Sequence, residues 1–278
     1  MTSTPPPTTR DALLGGKVSY EQPRVGYRVA LEAPLLARFA LGTGMESEPR
    51  RRPFRRVVDL GAGPGAVVLA LVATGWAREG VALEPDVAHV TLAERNAHAN
   101  GLEGRLRVVR ASVTDLVSSR RRDDASPSGD LVRAIGGADL VITNPPWFSE
   151  ASGPIAAGDS RSNARAMRGV SIALFARAAR PLLGRQGRFV VAFPSQRLAE
   201  LLDALASAEL VPKRMRFVHP RAAREAQVVF VESKPAKGGG LLVEPPLVVR
   251  AGASGEGEAY AREVEDALWG RWPAPGCS

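Results

Sequence analysis

Cysteine and histidine are nearly missing from this chain: 278 residues contain one Cys and three His. Cys277 cannot form an internal disulfide by itself, which suits a reducing compartment. His89, His98 and His219 are scattered among polar neighbours with no Cys/His spacing of a zinc cluster, so no metal is expected. His89 and His98 are expected on the polar face of a helix over residues 86–100. No apolar run approaches the ~20 residues of a membrane-spanning helix, and the opening Met1-Thr2-Ser3-Thr4-Pro5-Pro6-Pro7 has no apolar h-region. These absences predict a cytoplasmic protein without a membrane partner, and a monomer is expected. The Pro/Thr-rich start is expected to be a disordered tail over residues 1–11.

Hydrophobic residues make up 45% of the chain, enough for a buried core. Lys and Arg total 37 against 29 Asp and Glu, a net charge of +8 that favours a polyanionic partner. The basic residues cluster twice: Arg50, Arg51, Arg52, Arg55 and Arg56, then Lys213, Arg214, Arg216, Arg221 and Arg224. Either cluster also fits a solvated face, and the arginine content also fits a coding bias.

Hydrophobic patterning alternates strand and helix. Strands are expected at residues 56–60, 81–84, 106–110, 139–143, 188–193, 213–218 and 227–232. One helix should start at Ser195 as N-cap, with Leu198, Leu201, Leu202 and Leu205 on one face. Another should end at Asn100-Gly101. The connection 219–226 is too short for a helical crossover, so the last two strands should be antiparallel. The predicted fold is α/β and Rossmann-like: a seven-stranded, mostly parallel sheet with helices on both faces. Its main domain is expected over residues 12–250 with a surface insertion at 118–137, followed by a linker and C-terminal helix over 251–278.

Two motifs carry chemistry. Val57-Val58-Asp59-Leu60-Gly61-Ala62-Gly63-Pro64-Gly65 reads as a buried strand entering a glycine turn before a helix, where backbone N–H groups approach a ligand closely. Glu84 ends the next strand, where an acid meets ribose hydroxyls. Gly61, Gly63 and Ala66 also satisfy the dinucleotide pattern, so this half indicates only an adenosine-containing ligand. Asn144-Pro145-Pro146-Trp147 follows a later strand. The Asn oxygen and the proline-held carbonyl accept from an exocyclic NH2, and the indole stacks on the ring that carries it. Taken alone, the tetrapeptide also reads as a Pro-Pro turn, and Trp147 with Phe148 as a plug over the sheet edge.

Together these residues resemble the class I S-adenosylmethionine methyltransferases that act on exocyclic or amide nitrogens through an (Asp/Asn)-Pro-Pro-aromatic motif. Leu14-Gly15-Gly16-Lys17, Gln22-Pro23-Arg24-Val25-Gly26-Tyr27-Arg28, Lys234-Pro235-Ala236-Lys237-Gly238 and Leu242-Val243-Glu244-Pro245-Pro246-Leu247-Val248 are similar to the flanks of the bacterial tRNA(Val) adenosine-37 N6-methyltransferases. The resemblance covers residues from about 12 to 250. It implies S-adenosylmethionine as cofactor and the N6 amine of a tRNA adenosine as acceptor. Asn144, Pro145 and Trp147 are then catalytic. Asp59, Gly61, Gly63, Gly65, Glu84, Asp115 and Asn144 hold the cofactor, with Asp115 accepting from its adenine amino group and Asp59 orienting its methionine end through water. Trp147, Phe148, Arg165 and Arg168 hold the RNA.

Departures and alternatives accompany this reading. The family usually has Tyr or Phe at Trp147, and residues 161–168 lack the histidine found in many relatives. Asp115 also fits a helix start, with Ser112 as N-cap. The same motif suits a protein glutamine N5-methyltransferase, a group that usually carries a helical N-terminal recognition domain, whereas about fifty residues precede the first core strand here. An idle RNA-binding protein on the same fold is the third alternative.

Overall fold

A computed structural model describes residues 7–24, 31–42, 52–117, 127–145, 171–235, 238–251 and 259–276. The chain opens with an antiparallel hairpin, β1 (Thr8–Leu13) and β2 (Val18–Pro23). Residues 8–11 of the expected tail are therefore strand, and Val18 and Tyr20 bury their side chains in the core, anchoring the hairpin. Helix α1 (Glu32–Ala40) precedes the first core strand, β3 (Phe54–Leu60). Then come α2 (Ala66–Ala73), β4 (Ala77–Glu84), α3 (Val87–Ala99) and β5 (Leu106–Arg110). Two short helices, α4 (Val113–Val117) and α5 (Pro127–Ile135), lead to β6 (Ala138–Thr143). Part of the expected surface insertion is thus a helix whose Val132 and Ile135 are buried.

The second half runs through α6 (Ile172–Leu182), β7 (Leu183–Pro194), α7 (Leu198–Ser207), β8 (Val211–His219) and β9 (Val228–Lys234). Short strands β10 (Leu242–Val243) and β11 (Leu247–Val248) and helix α8 (Arg262–Leu268) complete the described elements. The sheet order is β10-β8-β9-β7-β6-β3-β4-β5, with β11 also on β8. All pairs among β5, β4, β3, β6 and β7 are parallel, and β9 is antiparallel to both β7 and β8. The expected seven strands are present, and β10 and β11 add two more along β8 in parallel register.

Strands buried on both faces read as continuous apolar runs. Leu140, Val141 and Ile142 of β6 and Val229, Phe230 and Val231 of β9 are all fully buried, each contributing roughly 1.5–3 kcal/mol of transfer free energy. One core packs α1, α2, the hairpin and α8 against one sheet face, and the other packs α4 to α7 against the opposite face. Because Val264 and Ala267 of α8 have no exposed surface, this helix belongs to the first core.

The helix expected from Ser195 begins three residues later. Residues Ser195–Arg197 form a 3-10 turn, and Ser195 Oγ donates to the Ala226 carbonyl instead of capping α7. Helix α3 ends as expected, with Asn100 as C-cap and Gly101 at φ 64°.

Candidate active site

Strand order reverses at β3, which has β4 on one side and β6 on the other. In open α/β sheets, ligands bind in the crevice beyond the carboxyl ends of the strands at such a point. The glycine turn and Asn144 both emerge there. Gly61 and Ala62 donate their N–H groups to the Leu83 carbonyl at 2.9 and 3.1 Å, folding the chain back over β4. Gly61 has φ 68°, and an added Cβ would lie 3.3 Å from the Phe175 ring. Gly63 has φ 55°, but nothing lies within 4 Å of where its Cβ would be. The backbone there borders open space that a ligand can occupy. Gly65, at φ 91°, is the N-cap residue of α2.

Two carboxylates lie under this turn, each 2% exposed. Glu84 Oε2 accepts the Gly63 N–H at 2.9 Å, and its Oε1 accepts the Asp86 N–H at 3.0 Å. Asp59 Oδ2 accepts the Val68 N–H at 3.3 Å. Burial pushes the Asp59 carboxyl up to about 8; the Val68 N–H opposes that shift and the charge of Glu84 adds to it. His89 Nδ1 lies 3.8 Å from Glu84 Oε1. Burial pulls this imidazole down, but its interaction with Glu84 and the charge of Asp86 outweigh that, leaving its pKa above the ordinary histidine value. His89 is therefore a half-buried neighbour of the proposed ribose acid. The signal was its place three residues after the N-cap Asp86, since helix side chains tilt back toward the N-terminus.

At the end of β6, Thr143 Oγ1 donates to the Leu60 carbonyl at 2.7 Å, tying the Asn144 segment to the strand that carries the glycine turn. Asn144 is half-buried and Pro145 buried. Pro146, Trp147, Phe148, Arg165 and Arg168 lie outside the described residues. Asp115 is exposed at the start of α4, where its Oδ2 accepts the Ser112 N–H at 2.8 Å and Ser112 Oγ accepts the Thr114 N–H at 3.3 Å. This is the helix-start geometry, a capping box in form.

Sequence reasoning missed Asn96, which is 2% exposed. Its amide accepts the Glu21 N–H at 2.6 Å and donates to the Glu21 carbonyl at 2.9 Å and to the Pro64 carbonyl at 3.0 Å. Asn100 repeats the pairing with Ser19, at 3.0 and 2.8 Å. Four residues of helix rise about 6.0 Å and two of strand about 6.6 Å, so two asparagines one turn apart substitute for a partner strand. The hairpin and the glycine turn are thereby fixed to one helix. A polar residue among Leu92, Ala93 and Ala97 on the buried face was the available clue.

The strand order, the antiparallel β9 and the glycine turn at the switch point define the class I S-adenosylmethionine-dependent methyltransferase fold. Among solved structures, a predicted O-methyltransferase from Agrobacterium tumefaciens matches with TM-score 0.62 and 21% identity, over 86% of this chain and 96% of that one. Pyrococcus horikoshii TYW2 in complex with MeSAdo matches with TM-score 0.51 and 14% identity, over 82% of this chain and 72% of that one. A release factor glutamine methyltransferase from Agrobacterium fabrum is 27% identical over 98 residues, a stretch covering 35% of this chain and 28% of that protein. No family model matches the chain. Among the described residues, no helix is long and apolar enough to cross a membrane, and no group of three or more His, Cys, Asp and Glu is placed to hold a metal ion.

Proposed function

We propose that the protein is an S-adenosylmethionine-dependent N-methyltransferase whose acceptor is the N6 amine of a tRNA adenosine, the anticodon-loop adenosine-37 of tRNA(Val) being the specific candidate. The carrying observation is the adjacency of Asn144-Pro145, at the end of β6, to the glycine turn at the end of β3. The residues fit the cofactor. The cradle at Gly63 is open, Glu84 stands behind it for ribose hydroxyls, and Asp59 is a buried acid with no Lys or Arg paired to it among the described residues. A cationic ligand would favour its ionised form.

When bound, S-adenosylmethionine supplies an activated methyl group. The chain's part is to position the acceptor. The Asn144 amide oxygen and the Pro145 carbonyl accept from the NH2 and direct its lone pair at the methyl carbon. Transfer of the methyl group to the acceptor nitrogen would leave the S–C bonding pair on sulfur, and the acidic ammonium held at Asn144 and Pro145 would lose its proton to water. No strong general base is needed. Trp147 would hold the unpaired base by stacking, worth about 1–3 kcal/mol. The net charge of +8 favours an RNA partner, and the protein would act in the cytoplasm.

Incubation with methyl-labelled S-adenosylmethionine and unmodified tRNA, followed by digestion to nucleosides, tests the reading: label in N6-methyladenosine is expected. Asn144→Ala should lower turnover by at least about 100-fold with the cofactor Kd little changed, and retained turnover removes Asn144 from the mechanism. A second reading, protein glutamine N5-methylation, is favoured by the 98-residue match to the glutamine methyltransferase. Label in a protein amide and in no nucleoside would establish it.

A further inference from the structure

The second basic cluster of the sequence divides by position along β8. Near the strand's start, Lys213 Nζ donates to the Gly238 carbonyl; Arg214 bridges Glu232 and Glu244, and Arg216 pairs with Glu263. These three are consumed by the fold. Arg221 and Arg224 lie in the turn from β8 to β9, and among the described residues neither pairs with a carboxylate. Of the first cluster, Arg55 and Arg56 are consumed as well, binding the carbonyls of Gly137 and Gly136, with Arg56 also paired to Glu79 at 3.0 Å; Arg50 and Arg51 lie outside the described residues. Arg55 and Arg56 lie at the start of β3, the sheet end opposite the crevice.

Register places the β8–β9 turn relative to Asn144. Thr143 is level with Val191, Val231 and Met215 across β7, β9 and β8. From that level β7 continues to Pro194 and β8 to His219, about 10 and 13 Å further at ~3.3 Å per residue. The β7–β9–β8 flank therefore stands as a wall beside the end of β6. Its crest carries the turn, about 14 Å across from β6 at three strand spacings. The crest is braced: Ser195 N–H donates to the Gln227 carbonyl at 3.0 Å, and His219 Nδ1 meets the Arg224 carbonyl at 2.7 Å. A cleft there is lined by Gln196, Arg221, Arg224, Glu225, Gln227 and Arg250, three cations against one carboxylate. The Arg250 guanidinium carbon lies 3.9 Å from the centroid of the Tyr260 ring, a cation–π contact. Arg197, nearby on the same crest, pairs with Glu200 at 2.8 Å, unlike Arg221 and Arg224.

We propose that this crest is a phosphate rail for the single RNA strand flanking the methylated base, with Arg221 and Arg224 contacting its backbone. The inference rests on the RNA reading above. A strand whose target base is turned into the crevice at Asn144 has its neighbouring phosphates within reach of the wall, and guanidinium groups take phosphate oxygens as paired donors.

The test compares wild type, Arg221→Ala/Arg224→Ala and the exposed single variant Arg224→Glu, using unmodified tRNA and measuring KM, kcat, cofactor Kd and the salt dependence of RNA affinity. The double variant should raise KM for tRNA about tenfold and make the slope of log K against log salt shallower by about 1.4, at ~0.7 for each single-strand phosphate no longer neutralised. Arg224→Glu should raise KM in the same direction. Saturating kcat and cofactor Kd should hold. Wild-type RNA methylation with unchanged KM and slope in both variants would overturn the rail and leave the RNA reading standing. Wild type that methylates only protein glutamine would overturn both, whatever the variants do.

Discussion

Glu232 and Glu244, at the β8/β9 flank, are 4% exposed, while Asp59 and Glu84, beneath the glycine turn, are 2% exposed. Their surroundings differ. Arg214 spans the first pair at 2.9 and 3.0 Å and lies 4.0 Å above the Phe39 ring, and Arg188 adds a contact to Glu232 at 3.2 Å. Beneath the turn, backbone N–H groups and His89 face the carboxylates, and Asp59 is driven toward its neutral form. Buried charge with its counter-charge built in is part of the scaffold. Buried acid without a Lys or Arg partner, as at Asp59, is what the proposed cofactor site would use.

Removing the built-in cation should have the largest effect. Arg214→Ala removes the cation shared by two buried carboxylates and is expected to lower stability by about 3–5 kcal/mol, read as a shifted urea midpoint at constant m. A loss under about 1 kcal/mol would mean that Arg188 and Arg216 already balance the flank, and the contrast with the crevice would fail.

Titration probes the other side of the comparison. Folded Asp59 keeps its proton to about pH 8, whereas the unfolded chain releases it near pH ~4. Between those values the native state binds more protons, so stability falls as pH rises, by about 2–4 kcal/mol from pH 5 to 8. Asp59→Asn keeps an acceptor for the Val68 N–H and should remove most of that slope. An unchanged pH profile would show that Asp59 is not the source.

The smallest effect sharpens the ligand side. Glu84→Gln keeps one acceptor oxygen for the two N–H groups of Gly63 and Asp86, and should raise the Kd for S-adenosylmethionine about 10- to 100-fold, the loss of a charged hydrogen-bond acceptor. An unaltered Kd would assign Glu84 to bracing Gly63 and Asp86 alone.

Much of this was legible in order along the chain. The periodicities of residues 56–60, 106–110 and 139–143 located strands, because strands buried on both faces need continuous apolar runs. The glycine turn and Asn144-Pro145 were legible because special backbone conformations restrict residue choice locally. The Thr8–Leu13/Val18–Pro23 hairpin was not, since its partner is an asparagine pair some 80 residues away. Ser195 was read as a helix cap because its competing acceptor, the Ala226 carbonyl, is distant in sequence.

The sequence by itself determined the α/β alternation, the antiparallel last pair and the positions of the chemistry-bearing motifs, all consequences of local residue type and spacing. Only the tertiary structure decided which arginines are spent on carboxylates and carbonyls and which stand on the crest, and which buried acids are matched. Those outcomes depend on strand order and register, which bring distant residues within a few ångströms, where desolvation makes a missing or present partner decisive.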